Sequence, residues 1–552
     1  MNITAMNINI CPNPAARCYG RARKIQALIL KTWFATLFVA TVVLNVALAA
    51  DSLDVPLWQP RDFTFTAQAS PTNPFLVDIS ATVTGPDGKT FTMPGFFDGD
   101  GIWKIRVSPT TEGKWSLVTK SELPEFDGKT ATFTGVKNSN PKIHGVLRVD
   151  PEHPHHFLFA DGTRFFMQGY EYDWLWALDQ DKTSVPTIEK TLDMISSYGF
   201  NYVIVNSYAD DTKWRKGKTG PDDYGPSILY PWLGSNAAPD HSRMNLAYWN
   251  HYDRMMNALM ERGIQDHMLI KVNNKQVKWP AHGSVEEKLF FRWLIARYAA
   301  YPNLIWDFCK EAHGEKDLAY KQGWLKYIRA NDPYHHLMTV HDDDVANDSG
   351  AYDDLTDFRA DQHHGMQQGR NQHDMILWQR DRRAWPVANV ESDYECGPGG
   401  RQDKTFSGSE TPEQTARTLW AIAMAGGYTA YYYTYTAWDV IRPLEVTPGY
   451  AFMKHFGDFW RSTDYWRLQP SDKLISAGWC LADPGKEYVI CQNTPEPFTL
   501  EIAGAAAPLL AEWFNPFTGK KTAAGNYGNG TAKLTPPSDW GSAPLVLHVR
   551  AK

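Results

Sequence analysis

The sequence predicts an α/β protein, a (β/α)8 TIM barrel flanked by an N-terminal β-sandwich and a small C-terminal β-sandwich. Apolar, strand-like runs alternate with amphipathic helical patterns through the middle of the chain, as in successive strand–helix units. Short strands separated by turn residues occupy both flanks and favour sandwiches there. With 552 residues, 43% of them hydrophobic and 13% aromatic, the chain can fill more than one core.

The first fifty residues differ from the rest of the chain. Basic residues precede the apolar run WFATLFVATVVLNVALAA, in which Ala47 and Ala49 are placed for cleavage by signal peptidase. We predict a signal peptide over residues 1–50 and a secreted or periplasmic protein. A transmembrane anchor is the alternative, but the A-x-A ending and the lack of a basic flank after the run disfavour it.

The charge balance argues against one class of partner. The predicted leader carries five Lys/Arg and no Asp/Glu, so its removal changes the formal charge from −7 to −12. Polyanion and nucleic-acid binding need basic surfaces, which an acidic chain does not favour. We therefore expect no nucleic-acid partner, and no membrane span once the leader is cleaved.

Residues 51–148 are predicted to form the N-terminal β-sandwich. Runs such as FLVDISATVT and GKWSLVTK alternate with turn chemistry such as GPDGK. The run DGDG, residues 98–101, begins like a calcium loop but lacks the glutamate that ends such a loop. A hairpin turn is the favoured interpretation.

Residues 149–467 are predicted to form the barrel. The eight candidate strands are RFFMQGY, NYVIVNS, HMLIKVN, NLIWDFC, HLMTVHD, FRADQHH, PVANVES and TAYYYTY. A doubly wound sheet is the rival arrangement. Because the first strand is followed by the aromatic stretch GYEYDWL and not by a glycine-rich phosphate loop, the barrel is favoured.

Residues 468–552 return to short strands and are predicted to form the C-terminal β-sandwich. In WCLADPGKEYVICQN, a two-residue turn at Gly485 and Lys486 would place Cys480 opposite Cys491. An exported protein can oxidise such a pair, and two buried thiols are an equal alternative. The cysteine spacing indicates no metal site.

Two glutamates follow strands that lie across the predicted barrel mouth. Glu311 comes directly after the fourth strand and Glu391 ends the seventh, at the face where such barrels hold their active sites. A single Glu at a strand end is more often an ion-paired surface group. The pairing favours glycoside hydrolysis, which needs one carboxylic acid to protonate the leaving oxygen and one carboxylate to attack the anomeric carbon or activate water.

Other polar and aromatic residues are predicted at the same mouth, as hydrogen-bonding or stacking partners of a sugar. They are Glu171, Asp173 and Trp174 after strand one, Asn206 at strand two, His341 at strand five, His363 and His364 at strand six, and Tyr433 and Trp438 after strand eight. A metal site built from the His and carboxylate groups is the less favoured alternative, and no cofactor is expected. Trp174 and Trp438 can equally be core residues. The long, aromatic segment 209–245 is predicted to form a substrate wall.

Several segments resemble a known group of enzymes. YPNLIWDFCKEAHG resembles the fourth-strand segment of the clan A glycoside hydrolases, and WPVANVESDYE is similar to their seventh-strand segment. The stretches PGFFDGDGIWKIRVSPTTEGKW and HGVLRVDPEHPHHFLFADGTRFF are similar to the junction in apiosidase-like bacterial barrels, which often carry an N-terminal immunoglobulin-like domain of unknown function and a C-terminal β-domain. The resemblance implies that Glu311 is the acid/base and Glu391 the nucleophile of a retaining enzyme.

The chain departs from the clan pattern at Lys310. Many clan members have an Asn before the acid/base glutamate, where it donates to the sugar 2-hydroxyl. The Lys310 ammonium is expected to donate to a hydroxyl or an anionic substituent, or to lower the pKa of Glu311. The alternative is that Lys310 points away from the site.

These observations predict a secreted retaining glycoside hydrolase acting on a polysaccharide or oligosaccharide. A non-catalytic carbohydrate-binding or adhesion protein on a barrel scaffold is the alternative, since fold alone does not fix function. For the retaining mechanism, the carboxyl groups of Glu311 and Glu391 are predicted to lie about 5 Å apart.

Overall fold

The fold is that of a computed structural model of the chain, which describes residues 53–67, 71–210, 227–342, 350–366, 369–397, 409–436, 442–541 and 543–551. The predicted signal peptide, Trp438 and part of the predicted substrate wall lie outside these ranges. Among the described residues, no helix is both long enough and apolar enough to cross a membrane.

Two sheets form the N-terminal sandwich. The strands are β1 (Leu53–Pro56), β2 (Arg61–Thr66), β3 (Ile79–Thr84), β4 (Thr90–Pro94), β5 (Phe96–Phe97), β6 (Ile102–Val107), β7 (Gly113–Ser121) and β8 (Thr130–Val136). One sheet has the order β1-β8-β7-β3-β4 and the other the order β2-β6-β5. In β7 the buried Trp115, Leu117 and Thr119 alternate with more exposed residues, as a strand with one core face requires.

The DGDG run lies between β5 and β6, which pair antiparallel. The Ile102 amide donates to the Gly99 carbonyl at 2.7 Å, and the Asp98 amide donates to the Ile102 carbonyl at 2.8 Å. The predicted hairpin turn is therefore confirmed.

A small sheet closes the lower end of the barrel. Its strands are β9 (Leu147–Val149), β10 (Phe157–Phe159) and β11 (Arg164–Phe165). The Phe157 ring packs against Phe358 and Tyr428 with centroids 5.5 and 5.2 Å apart. Because these two residues stand where barrel strands begin, Phe157 covers the end of the barrel opposite the predicted site.

Eight parallel strands form the barrel. In chain order this region contains β12 (Gln168–Glu171), β13 (Tyr202–Asn206), β14 (Trp232–Ser235), β15 (Ala238–Met244), β16 (Gln265–Val272), β17 (Leu304–Lys310), β18 (Met338–Thr339), β19 (His341–Asp342), β20 (Arg359–Gln362), β21 (Val387–Glu391), β22 (Tyr394–Glu395), β23 (Ser409–Glu410) and β24 (Tyr428–Tyr431). The barrel order is β18-β17-β16-β13-β12-β24-β21-β20-β19. Only Val340 separates β18 from β19, so the two ends of this order meet and the sheet closes. The fold class predicted from the sequence is confirmed.

Helices surround the barrel. The described ones are α1 (Pro186–Ser197), α2 (Leu246–Glu261), α3 (Val285–Tyr298), α4 (Leu318–Asn331), α5 (Gln372–Arg382), α6 (Pro412–Met424) and α7 (Pro448–Trp460). Local chemistry fixes their starts. Thr411 and Gln414 form a capping box at α6, and Pro448 stands in the first turn of α7, where its missing N–H costs nothing.

The C-terminal part is again all-β. Its strands are β25 (Gln469–Pro470), β26 (Trp479–Asp483), β27 (Glu487–Gln492), β28 (Phe498–Ile502), β29 (Leu509–Phe514), β30 (Lys521–Tyr527), β31 (Gly530–Leu534) and β32 (Leu545–Arg550). They form a sheet in the order β25-β26-β27-β32-β29-β30 and a second sheet of β28 and β31.

The predicted facing of Cys480 and Cys491 is wrong by one residue. Cys480 pairs with Ile490 and Asp483 with Glu487, so the loop holds three residues, with Gly485 at φ 83°. A slip of one residue moves a side chain to the other face of the sheet. Cys480 accordingly lies in the C-terminal core, while Cys491 packs with the large core that includes the barrel, and both are free thiols.

A buried ion-pair network joins the N-terminal sandwich to the barrel. Asp253 on α2 binds Arg297 at 2.9 Å and Arg106 of β6 at 3.1 Å. Arg297 also binds Asp98, in the β5–β6 hairpin, at 3.1 Å. The sandwich is thus held against the outer helices by charges that are shielded from water.

Candidate active site

The carboxyl ends of the barrel strands bring most of the predicted polar residues together. Glu171, Asn206, Lys310 and Glu391 are the last residues of β12, β13, β17 and β21, and Glu311 follows β17 directly. Parallel strands in a closed barrel end at one face, so these residues share one mouth.

The Lys310 ammonium lies among three carboxyl groups. Its Nζ is 2.9 Å from Glu391 Oε2 and 3.1 Å from Asp173 Oδ2, and it also binds Glu171. The Lys310 side chain is only 1% exposed. The alternative that Lys310 points away from the site is therefore wrong, and the expected donation to a substrate group stays a prediction.

Glu391 is surrounded by donors. The Tyr394 hydroxyl donates to Oε1, and His341 Nε2 lies 3.4 Å from Oε2. Burial by itself raises the pKa of Glu391, but the Lys310 charge and the His341 hydrogen bond outweigh it and hold the pKa well below its usual value. Glu391 is therefore ionised at neutral pH, as a nucleophile must be.

Glu171 has the opposite tendency although it binds the same ammonium. Burial and the nearby charge of Glu391 raise the pKa of Glu171 well above its usual value, against the influence of Lys310. Two neighbouring carboxyl groups are thus driven to different protonation states, which is a common feature of acid–base sites.

Glu311 occupies an unusual backbone conformation. Its φ of 56° and ψ of 44° lie in the left-handed region, which non-glycine residues adopt rarely and at a cost. Its Oε1 accepts hydrogen bonds from Asn274 at 2.9 Å and Gln362 at 3.4 Å. The side chain is 15% exposed, more than Glu391 at 3%. The strained backbone therefore belongs to a residue whose carboxylate accepts hydrogen bonds from two side-chain amides and is partly exposed at the barrel mouth.

Gln362 connects the two glutamates. Its backbone pairs with Glu391 between β20 and β21, and its side-chain amide donates to Glu311. Gln362, the last residue of β20, therefore contacts both Glu311 and Glu391.

Asp173 and Asn206 line the same end of the barrel. The Tyr432 hydroxyl donates to the Asp173 carboxylate at 2.5 Å. The backbone N–H of Asn206 donates to the backbone carbonyl of Asp173 at 3.0 Å. The Asn206 side chain is buried, and neither of its polar atoms has a partner among the described residues. A buried amide of this kind normally binds something, so Asn206 suits a sugar hydroxyl.

The remaining predicted residues are less directly placed. Trp174 is fully buried with Lys275 Nζ 5.4 Å from its ring, and the Tyr433 hydroxyl donates to Glu445 at 2.6 Å. His363 pairs with Gln372 of α5 at 3.0 Å. His364 lies beside the site, with its ring 5.5 Å from that of Tyr394.

Sequence reasoning missed four residues that contact the key carboxyl groups. Tyr394 binds Glu391, Tyr432 binds Asp173, and Asn274 and Gln362 bind Glu311. Tyr394 follows Glu391 by three residues, and Gln362 and Tyr432 stand at strand ends. Their position relative to those ends was the available signal, but tyrosine and glutamine are also frequent in barrel cores.

A metal ion does not suit the site. Glu171, His341 and Glu391 offer ligand atoms within 4.8 Å of one another. However, Lys310 Nζ binds both of these glutamates, so a cation among the three ligands would meet the ammonium.

Comparison with known proteins identifies the family of the barrel region. Residues 152–467, more than half of the chain, match the family described as "Apiosidase-like, catalytic domain", and residues 54–122 match a domain of unknown function, DUF5060. No curated protein matches the sequence.

Solved structures of glycoside hydrolases share the fold. A candidate glycoside hydrolase from Bacteroides vulgatus ATCC 8482 superposes with a TM-score of 0.71 at 18% identity, over 90% of this chain and 100% of that one. A family 5 glycoside hydrolase from the same organism gives 0.57 at 18% identity, over 76% and 95%. Another glycoside hydrolase gives 0.58 at 20% identity, over 75% and 99%.

Proposed function

The chain belongs to the family of apiosidase-like catalytic domains and is a glycoside hydrolase. We propose that it is a secreted enzyme that cleaves a polysaccharide or oligosaccharide with retention of the anomeric configuration. Glu391 is the nucleophile and Glu311 the acid/base. The observation that carries the proposal is the contrast between the two carboxylates. Glu391 is buried and kept ionised by Lys310, whereas Glu311 stands nearer the opening, oriented by two amides.

The chemistry needs two steps. In the first, a Glu391 oxygen attacks the anomeric carbon while protonated Glu311 gives its proton to the departing glycosidic oxygen, so that a glycosyl ester forms as the bond to the leaving group breaks. In the second, the Glu311 carboxylate takes a proton from a water molecule whose oxygen attacks the anomeric carbon and frees Glu391. The two inversions give net retention. Retention also predicts carboxyl groups about 5 Å apart.

Substitution of each glutamate tests these roles. Glu391→Ala should nearly abolish turnover, and azide should restore part of it by attacking from the vacated face, giving a glycosyl azide of inverted configuration. Glu311→Ala should lose about 10²–10⁴-fold on substrates with poor leaving groups and much less on activated aryl glycosides, because a good leaving group departs without protonation. Azide should rescue this variant with retained configuration, since it attacks the glycosyl ester without a base.

The neighbouring Glu315 supplies a control. It lies four residues after Glu311 and is paired with His282 at 3.3 Å. Glu315→Ala should keep nearly normal turnover with no azide effect. Full activity in either Glu311→Ala or Glu391→Ala would defeat the proposal, and exchanged azide products would reverse the two roles.

A further inference from the structure

The Lys310 ammonium is enclosed by acidic side chains. Nζ donates to Glu171 and to Asp173, and it lies 2.9 Å from Glu391 Oε2. All four side chains are at most 3% exposed. A sugar that enters the mouth therefore meets Lys310 only through the carboxylates that the lysine holds.

We propose that Lys310 is a positioning residue, whose ammonium fixes Glu391 in place and in its charged state and does not bind the sugar. The inference rests on the proposed function, because it assigns Glu391 the nucleophilic role. Many related enzymes have an asparagine at this position, which donates to the sugar 2-hydroxyl. Lys310 would have a different role.

The charge balance of the cluster explains why the lysine is needed. Three carboxyl groups around one ammonium cannot all stay ionised away from water, since like charges at this separation repel strongly in a medium of low dielectric constant. The proton should remain on the carboxyl group with the fewest donors. Among the described residues, Glu171 accepts from Lys310, Asp173 accepts from Lys310 and Tyr432, and Glu391 accepts from Tyr394 and has Lys310 and His341 within 3.4 Å of Oε2.

The groups that act on Glu391 come from several strands. They are Lys310 of β17, His341 of β19, Tyr394 after β21, His364 after β20, and Glu171 and Asp173 at the end of β12. Lys310 is the cation in closest contact, with Nζ 2.9 Å from Glu391 Oε2, while His341, whose pKa is raised by Glu391 against the effect of burial, is farther away at 3.4 Å. Removal of the lysine should therefore dominate any change in the ionisation of Glu391.

The first test is the pH dependence of kcat/KM on an activated aryl glycoside. Loss of the ammonium in Lys310→Met should raise the pKa of Glu391, so the acidic limb of the profile should move up by about 1–3 pH units. Lys310→Arg keeps the charge and should leave that limb within about one unit of its original position. An unmoved limb in Lys310→Met would overturn the proposal.

Lys271 offers a matched control. It is a buried lysine on the adjacent strand β16, with its Nζ 3.4 Å from Glu287 and 2.7 Å from the Tyr320 hydroxyl. Lys271→Met should lower thermal stability as any lost buried pair does, but it should not move the acidic limb. A shift of equal size in both variants would show a general structural effect and contradict the assignment.

The second test needs no substrate. In the original protein the lowered pKa of Glu391 stabilises the fold above the unfolded-state pKa, and this contribution is lost as pH falls through the lower folded-state value. Without Lys310 the buried carboxyl groups have raised pKa values, so the folded state is penalised at neutral pH and recovers as they take up protons. The Tm gap between Lys310→Met and the original protein should therefore be largest near pH 7 and shrink toward pH 4–5.

The two tests separate this inference from the proposed function. If no glycoside is cleaved but the Tm gap closes at low pH, the cluster stands and the enzymatic role of Glu391 fails. If Lys310→Met does not fold at any pH, Lys310→Met/Asp173→Asn provides the readout, because it removes another acidic group of the cluster together with the lysine, leaves Glu391 in place and should fold more stably. A Tm gap that does not depend on pH in either variant contradicts the proposal.

Discussion

Glu311 holds a backbone conformation that glycine would adopt more easily, with φ 56° and ψ 44°. The conformation turns the chain directly after β17, where the carboxylate meets Asn274 and Gln362. Stability is thus given up at the residue that the proposed mechanism uses as its acid. A trade of this kind between local strain and function is familiar at active sites.

The strain predicts an order of stability between two variants. Glu311→Gly and Glu311→Ala both remove the carboxylate, but only glycine tolerates this φ, so the glycine variant should be more stable by about 1 kcal/mol. Urea unfolding measures the difference. Glu315, at φ −89°, gives the control, because there the glycine variant should be the less stable of the pair. An alanine variant at 311 that equals or exceeds the glycine variant in stability would show that the strain is small.

Sequence patterns located the two glutamates because both follow apolar runs at strand ends, but they did not show where Lys310 points. Strict alternation would place Asp307 and Lys310 on opposite faces of β17. Both side chains are nevertheless buried in polar contacts, Asp307 with His267 at 2.7 Å and Lys310 with Glu391 at 2.9 Å. The Cys309 amide also donates to Asp307 Oδ1 at 2.9 Å, a contact that a sequence pattern does not reveal.

At the scale of elements, the β26–β27 hairpin shows how a turn sets the register. The sequence indicates two strands and a glycine turn, but two-residue and three-residue loops suit the same letters. In the structure the Lys486 amide donates to the Asp483 carbonyl at 3.0 Å, and Gly485 takes φ 83°, as in a three-residue loop with glycine in the left-handed position. Long apolar strands were therefore predictable, whereas their register depended on one residue of the loop.

The observed register predicts that Cys480 and Cys491 stay reduced even in an exported protein. Burial raises the pKa of each thiol to about 12, and the two side chains lie on opposite faces of the sheet. Alkylation of the unfolded, unreduced protein followed by mass spectrometry should label both cysteines, and a reductant should leave Tm unchanged. A Cys480–Cys491 cross-link in that experiment would contradict the register.

Over the whole molecule, the order of sandwich, barrel and sandwich could be read from the change between short-strand and strand–helix patterns. The contacts between these regions could not, because they join residues far apart in the chain. Asp98 belongs to a turn and Arg297 to a helix, and neither sequence context marks an interface. Their pairing at 3.1 Å, with Asp253 and Arg106 beside them, ties the N-terminal sandwich to α2 and α3.

This interface predicts a large effect of Asp253→Asn. Burial raises the pKa of Asp253, but Arg106 and Arg297 outweigh it and the pKa is lowered. The group therefore stabilises the fold above the unfolded-state pKa of 3.8 and loses that contribution as pH falls further. At pH 7 the variant should lose about 3–5 kcal/mol in the free energy of unfolding, since two buried guanidinium groups lose their shared carboxylate.

Asp458 provides the surface comparison for that variant. It pairs with Lys454 at 2.7 Å, and both side chains are about half exposed. Asp458→Asn should cost no more than about 1 kcal/mol. Equal losses at positions 253 and 458 in urea unfolding would show that the buried network does not hold the sandwich to the barrel.

On the proposed mechanism, Glu391 becomes covalently bonded to the sugar during turnover. The direct measurement is to trap this ester with an activated 2-deoxy-2-fluoro glycoside of the sugar that the enzyme releases, and then to map the label by peptide mass spectrometry. We expect one added fluoroglycosyl group, on the peptide that contains Glu391, and none in Glu391→Gln. A label on Glu171 or Glu311, or a product of inverted configuration with no label at all, would contradict it.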